Sequence, residues 1–330
     1  MRIGTGSIRR GAPCAIGLIG DGSTVIEIAR AAKDMGLVGD VFPDSVAGLL
    51  QLGRYGSSLL GDLAAAVERG SAGDEPWLSP LTEVDLAAPI TRPSKLVCIT
   101  SNRGKRPLTA TTPESQDDWP HPLFFLKAPN SVAPTGTSVA ISESMRPLEV
   151  EGEIALVIGK RAKCVALADV WNYVAGVTLL IDMASGRFMD QDASIYTIAR
   201  GRGLEPEMMY TRPVARGKGV DGFCPMGPWI TPIEDLSSQL EDIELTTTVD
   251  SDVVQRGPLS SHRFSAEECL EYVSRWLTFE PGDILSLGAM DQSPDFPMRD
   301  VDLADGGGRT IRVDGGELGQ LQASGRLAEG

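Results

Sequence analysis

The chain has 330 residues, with 30 Lys or Arg against 45 Asp or Glu, a formal charge of −15. That length buries a substantial core, in one large domain or two unequal ones. So acidic a chain argues against nucleic acid and anionic membranes as partners, because binding phosphate takes a basic footprint. Small anionic substrates remain open, provided a local group of Arg and Lys or a metal overrides the global field.

Five cysteines (Cys14, Cys98, Cys164, Cys224, Cys269) form no CxxC pair, and their number is odd. A disulfide framework is not expected, and a reducing compartment fits better. The two histidines, His121 and His262, give little material for a His/Cys zinc site or a Ser-His-Asp arrangement. Met1-Arg2-Ile3-Gly4-Thr5-Gly6 lacks the apolar core of a signal peptide. No apolar run approaches the ~18 residues of a membrane span. A soluble, cytoplasmic protein is expected.

In chain order, Ala15–Ile19 and Thr24–Ile28 flank Gly20-Asp21-Gly22, which predicts a hairpin. Helical patches follow at 44–52 and 57–69, the second with Leu59, Leu60, Leu63, Ala66 and Val67 on one face. Ser71 to Lys95 has little periodicity and reads as a linker ending near residue 90. This predicts a small N-terminal α/β domain over 1–90 and a larger domain over 91–330. Beyond it short strands dominate, at Leu96–Thr100, Leu123–Leu126, Ser138–Ile141, Ile154–Ile158, Val177–Ile181, Gly227–Ile230, Glu244–Val249, Ile284–Leu287 and Thr310–Val313. The clearest helix spans 266–277, with Cys269, Leu270, Val273, Trp276 and Leu277 on one face and a Ser265/Glu268 capping box. Many strands and few helices predict an α+β, mainly β fold, antiparallel or mixed rather than doubly wound. No GxGxxG opens a helix after a strand, so nucleotide binding has no support.

The most informative stretch is Glu149-Val150-Glu151-Gly152-Glu153, which runs into Ile154–Ile158. Period two places Glu149, Glu151 and Glu153 on one face of a strand. The apolar run marks a buried strand, so the carboxylates sit where it leaves the core. Like charges that close have raised pKa values when buried, unless a cation lies between them. A solvated acidic edge is the plain alternative to a hard divalent ion bound through oxygens.

Six collinear segments resemble the fumarylacetoacetate hydrolase family: Lys95–Asn102 (KLVCITSN), Pro122–Pro129 (PLFFLKAP), Glu151–Lys160 (EGEIALVIGK), Tyr173–Asp182 (YVAGVTLLID), Arg216–Thr231 (RGKGVDGFCPMGPWIT) and Phe279–Gly288 (FEPGDILSLG). The resemblance covers roughly 95–321 and implies a mixed β-roll or sandwich, commonly a homodimer. By position it implies Glu151, Glu153 and Asp182 as metal ligands. Three carboxylates without a soft donor suit Mg²⁺ or Mn²⁺, or Ca²⁺ in a roomier site. Such an ion would polarise the ketone of a chelating 2-oxo acid and stabilise an enolate. The enolate is common to C–C hydrolysis, decarboxylation, dehydration and tautomerisation. Lys218 matches the family's substrate-facing lysine, Asn102 the asparagine of the opening strand, and Arg187 and Gln191 an Arg and a Gln, though their spacing from Asp182 is off by one and two positions. The resemblance implies that Asn102, Arg187 and Gln191 bind substrate.

The chain also departs from that pattern. Where the hydrolases place the histidine and glutamate that activate water, this sequence has Arg106 and Thr109. Neither is a base at neutral pH. His121, in DDWPHP, is a substitute base if that segment closes over the site, with Glu114, Asp117 and Asp118 as further lid groups. Arg106 could instead grip a second substrate carboxylate. The stretch 188–213, with Glu205, Glu207, Met208 and Met209, reads as an insertion near the mouth of the site, and Ala289 stands where a threonine is expected. These features predict a metal-dependent enzyme acting on a 2-oxo or 1,3-diketo acid. C–C hydrolysis is the family default, a lyase or isomerase (decarboxylase, dehydratase or tautomerase) is the alternative, and a non-catalytic binding or assembly subunit is a third reading.

Overall fold

The computed structural model describes residues 1–69, 75–103, 121–198, 207–236, 239–290, 301–305 and 308–328. Its centre is one antiparallel pair, Glu149–Ile158 against Val174–Ala184. Every residue of the first strand after Glu149 is buried, as the apolar run requires. On one flank the sheet continues through Cys224–Pro232, Arg2–Ile8, Cys14–Ile19, Thr24–Glu27 and Leu78–Pro80. On the other flank lie Ile284–Ala289, then Leu96–Thr100 parallel to it, then Leu123–Lys127. A second sheet orders Asp252–Pro258, Glu244–Val249, Thr310–Asp314, Gln320–Leu327 and Thr137–Ile141. The architecture is α+β and mainly β, with mixed sheets and few helices.

The central sheet has a core on each face. Ile154, Leu156 and Ile158 pack with the second sheet and with the helix Ala266–Trp276. Ala155, Val157 and Leu180 pack on the other face with Cys98, Cys224 and Met226, and with Ile3, Ile26, Ile28, Leu49 and Leu63 from the N-terminal segment. The helices Ile28–Asp34, Val46–Gln51 and Arg54–Arg69 supply much of that cover. The sheet also runs across residue 90, because Arg2–Ile8, which pairs with Val84–Ala87, pairs as well with Cys224–Pro232 at Ile3↔Ile230.

Several expectations hold and others need correcting. The 14–19/24–27 hairpin forms, and both hydrogen bonds of the Ser265/Glu268 capping box are present. Trp276, however, is 61% exposed at the end of its helix rather than buried with Cys269 and Leu270. The span read as a linker contains two short strands, Leu78–Pro80 and Val84–Ala87, each too brief to show a period. The 188–213 stretch includes a separate two-stranded ribbon, Ser194–Ile198 against Glu207–Thr211. All five cysteines are free. Among the described residues, no helix is long and apolar enough to cross a membrane.

Candidate metal centre

The antiparallel register sets Glu151 directly opposite Asp182. Glu153 lies two residues along the same face of its strand, toward Ala289 of the neighbouring strand. One oxygen from each of the three carboxylates falls within 4.8 Å of the others, and all three residues are buried. Three buried carboxylates would repel one another strongly without cations.

Three cations meet them. Lys127, fully buried at the end of its strand, donates from Nζ to Asp182, to the Met183 carbonyl at 3.0 Å and to the Phe223 carbonyl at 2.9 Å. Lys218 donates to the other oxygen of Asp182, lies 3.5 Å from Glu151 Oε2, and has its ammonium over the Phe125 ring at 5.1 Å. Arg103 pairs with the remaining oxygen of Glu151. Ser286 donates its hydroxyl to Glu153. Lys127, Lys218 and Arg103 thus pair directly with Asp182 and Glu151, whereas Glu153 is bonded to Ser286.

The balance is uneven within the triad. Burial and the nearby Asp182 charge push the Glu153 carboxyl up to about 7, against the pull of Ser286, Lys218 and Lys127. Burial would also raise Asp182, but the two ammonium groups overcome it and hold that carboxyl below its ordinary value. Burial would lower Lys218, yet the carboxylates around it raise it, so it is an ammonium at neutral pH.

The donor set fits a hard divalent ion. Three buried carboxylates that each bring an oxygen within 4.8 Å of the others, with no soft donor among them, suit an ion bound through oxygens. Glu151, Glu153 and Asp182 are the residues that would hold it.

The structure brings four of the expected site residues together: Glu151, Glu153, Asp182 and Lys218. Arg106 lies outside the described residues, as do Thr109, Glu114, Asp117, Asp118 and Glu205. His121 stacks flat on Tyr272 of the 266–276 helix, centroids 4.8 Å apart, with Nδ1 3.3 Å from the Pro122 carbonyl. Asn102 is 1% exposed and spends its amide on the chain itself, donating to the Phe264 and Leu287 carbonyls and accepting from the Phe264 amide. Arg187 and Gln191 line a separate pocket with Arg146, Glu149 and Arg212, beside the first of the alternating glutamates. There Arg187 lies 3.5 Å from the Glu143 carbonyl and Gln191 accepts from Arg216. His262 has its pKa pushed down to about 4 by burial, and its Nε2 lies 3.2 Å from the Ala289 carbonyl.

Reading the sequence missed Lys127, Arg103 and Ser286. Lys127 carried a signal, a lone charge closing the apolar Leu123–Leu126 run. Ser286 sits inside ILSLG as one polar residue among apolar ones, with nothing to separate it from an ordinary strand serine.

The sequence pattern described as Fumarylacetoacetate (FAA) hydrolase C-terminal matches residues 95–324. Oxaloacetate tautomerase YisK of Bacillus subtilis is 28% identical over 276 residues, 83% of this chain and 84% of that protein. The mitochondrial oxaloacetate tautomerase Fahd2a of Rattus norvegicus is 26% identical over 230 residues, 69% of this chain and 66% of that protein. Maleylpyruvate hydrolase from Sphingobium sp. SYK-6, solved in complex with manganese(II) ion and pyruvate, shares the fold at a TM-score of 0.70 and 22% identity, over 100% of both chains. With well over half of its length matched by that pattern, this chain belongs to the fumarylacetoacetate hydrolase family.

Proposed function

We propose that the protein is a divalent-metal-dependent tautomerase that interconverts the enol and keto forms of a 2-oxo dicarboxylic acid of the oxaloacetate class. The observation that carries this reading is the company the triad keeps. Among the described residues its charged neighbours are cations, Lys127, Lys218 and Arg103. Among the described residues no hydrogen bond or ion pair joins a histidine to a triad carboxylate: His121 stacks on Tyr272 and His262 Nε2 lies at the Ala289 carbonyl, while the positions that activate water in the hydrolases hold Arg106 and Thr109. Relatives named oxaloacetate tautomerase, one of them matched over most of both chains, support the same choice.

Tautomerisation moves one proton between C3 and the 2-oxo oxygen and forms no bond to water, so it has no need of a water-activating base. A divalent ion held by Glu151, Glu153 and Asp182 would supply Lewis-acid polarisation of the 2-oxo group. Lys218, an ammonium at neutral pH, would donate to the oxygen on which negative charge develops. Arg103, paired here with Glu151, offers a planar fork of the kind that binds a carboxylate. Lys127, enclosed by three acceptors, keeps Asp182 ionised and fixed and has no free hydrogen for substrate.

The test is a paired assay with Mn²⁺ or Mg²⁺. Loss of enol absorbance on addition of enol-oxaloacetate should accelerate over the uncatalysed rate, while acetylpyruvate stays uncleaved. Cleavage of acetylpyruvate without any effect on oxaloacetate would replace this reading with C–C hydrolysis.

A further inference from the structure

The backbone between the two glutamates is held by a side chain from the other sheet. Gln255, 1% exposed in the strand Asp252–Pro258, accepts at Oε1 from the Gly152 amide at 2.8 Å and donates from Nε2 to the Gly152 carbonyl at 3.0 Å. Its Oε1 also accepts from the Thr247 hydroxyl at 2.9 Å. One carboxamide thus meets both backbone groups of one residue, as a neighbouring strand would.

Two further features show that this contact is built into the fold. A side chain at Gly152 would force its neighbours to move, because a Cβ there would lie 2.2 Å from Thr247 Oγ1 and 3.0 Å from Val313 Cγ2. The ladder to Ile284–Ala289 is irregular just here, shifting register between Glu153 and Ala155. Gln255 therefore holds the strand next to the point where regular pairing on that flank breaks, and Gly152 is the residue between Glu151 and Glu153.

We infer that Gln255 is a positioning residue for the candidate metal centre: by clamping both backbone groups of Gly152, it sets the separation and direction of the Glu151 and Glu153 carboxylates. It touches neither carboxylate and acts through the peptide between them. The inference rests on the reading of the triad as a metal site. Outer groups that orient metal ligands commonly change metal affinity 10- to 100-fold when removed.

The test is Mn²⁺ affinity by calorimetry at fixed pH, with hydrogen exchange of the Gly152 amide as a second readout. The wild type is compared with Gln255→Met, Thr247→Val and Ser274→Ala. Gln255→Met should weaken Mn²⁺ binding about 10-fold or more and speed exchange at Gly152. Thr247→Val, which removes one anchor of the carboxamide and keeps the clamp's other bonds, should weaken it less and serves if Gln255→Met does not fold. Ser274→Ala removes a buried hydroxyl that accepts from the Val165 amide and donates to the Glu271 carbonyl, so it controls for a general loss of stability. It should leave Mn²⁺ affinity unchanged. Wild-type affinity in a folded Gln255→Met, or in Thr247→Val if Gln255→Met does not fold, would overturn the inference, as would an equal loss in Ser274→Ala. A wild type that binds no Mn²⁺ would overturn the metal reading itself.

Discussion

The central strand pair and the crossover that follows it are built on opposite terms. The pair Glu149–Ile158 and Val174–Ala184 is buried and in register, and the carboxylates it carries are matched by cations that are themselves mostly enclosed. The crossover from Gly186 to Arg216 is largely solvent-facing among its described residues, and the pairs of Arg212 with Asp190 and of Arg216 with Asp192 lie at the surface. Its ribbon leaves Ile195, Met208 and Tyr210 open to solvent. Charges on the pair cannot be shielded by water, so each depends on a specific partner, whereas those on the crossover can. The sheet thus fixes the carboxylates, and the crossover joins the site at its far end, through Lys218.

Substitutions should show this contrast as a graded series. Asp182→Asn removes a donor from the triad and the acceptor for two lysines. It should lower kcat/KM about 10³-fold or more, the scale of losing Lewis-acid stabilisation, as read in the oxaloacetate assay. Lys127→Met strips the buried cation from Asp182 and should destabilise the fold by about 3–5 kcal/mol in denaturant unfolding of the metal-free protein. A loss below about 1 kcal/mol would mean that Asp182 is not buried as described.

The titration of Glu153 gives a smaller effect with a definite sign. Its folded value of about 7 lies above the ordinary 4.5, so the folded state holds that proton more tightly than the unfolded chain. The resulting stabilisation is fully present below about 4.5 and is lost as pH rises through about 7. Melting temperatures of the metal-free protein should show this loss across that window, and Glu153→Gln should remove it. Added Mn²⁺ should raise the melting temperature more at pH 8 than at pH 6, because the ion competes with that proton. At the mild end, Arg216→Ala should cost under about 1 kcal/mol and leave Mn²⁺ affinity unchanged, since Arg216 pairs at the surface. A large loss of metal binding there would erase the distinction between pair and crossover.

Sequence and structure agree where one period governs a long run. Alternating glutamates leading into Ile154–Ile158 placed the carboxylates on one face, and the register with 174–184 supplied Asp182. The capping box marked its helix for the same reason, a local rule with local partners. What escaped was held by distant partners. Lys127, Arg103 and Gln255 join the site across sheet pairings that local spacing does not reveal. The strand Arg2–Ile8 escaped because RIGTGSI is rich in glycine and small polar residues, a weak strand signal until Cys14–Ile19 and Val84–Ala87 pair with it. The crossover ribbon escaped because its strands face solvent and no buried face imposes alternation.

On the reading proposed above, Glu151, Glu153 and Asp182 hold a single divalent ion. The most direct test is a Mn²⁺ titration followed by electron paramagnetic resonance, on the wild type and on the Glu151→Gln, Glu153→Gln double variant. One tightly held ion per wild-type chain is expected, and none in the variant. A wild type that leaves all Mn²⁺ free, or a double variant that binds as the wild type does, would contradict it.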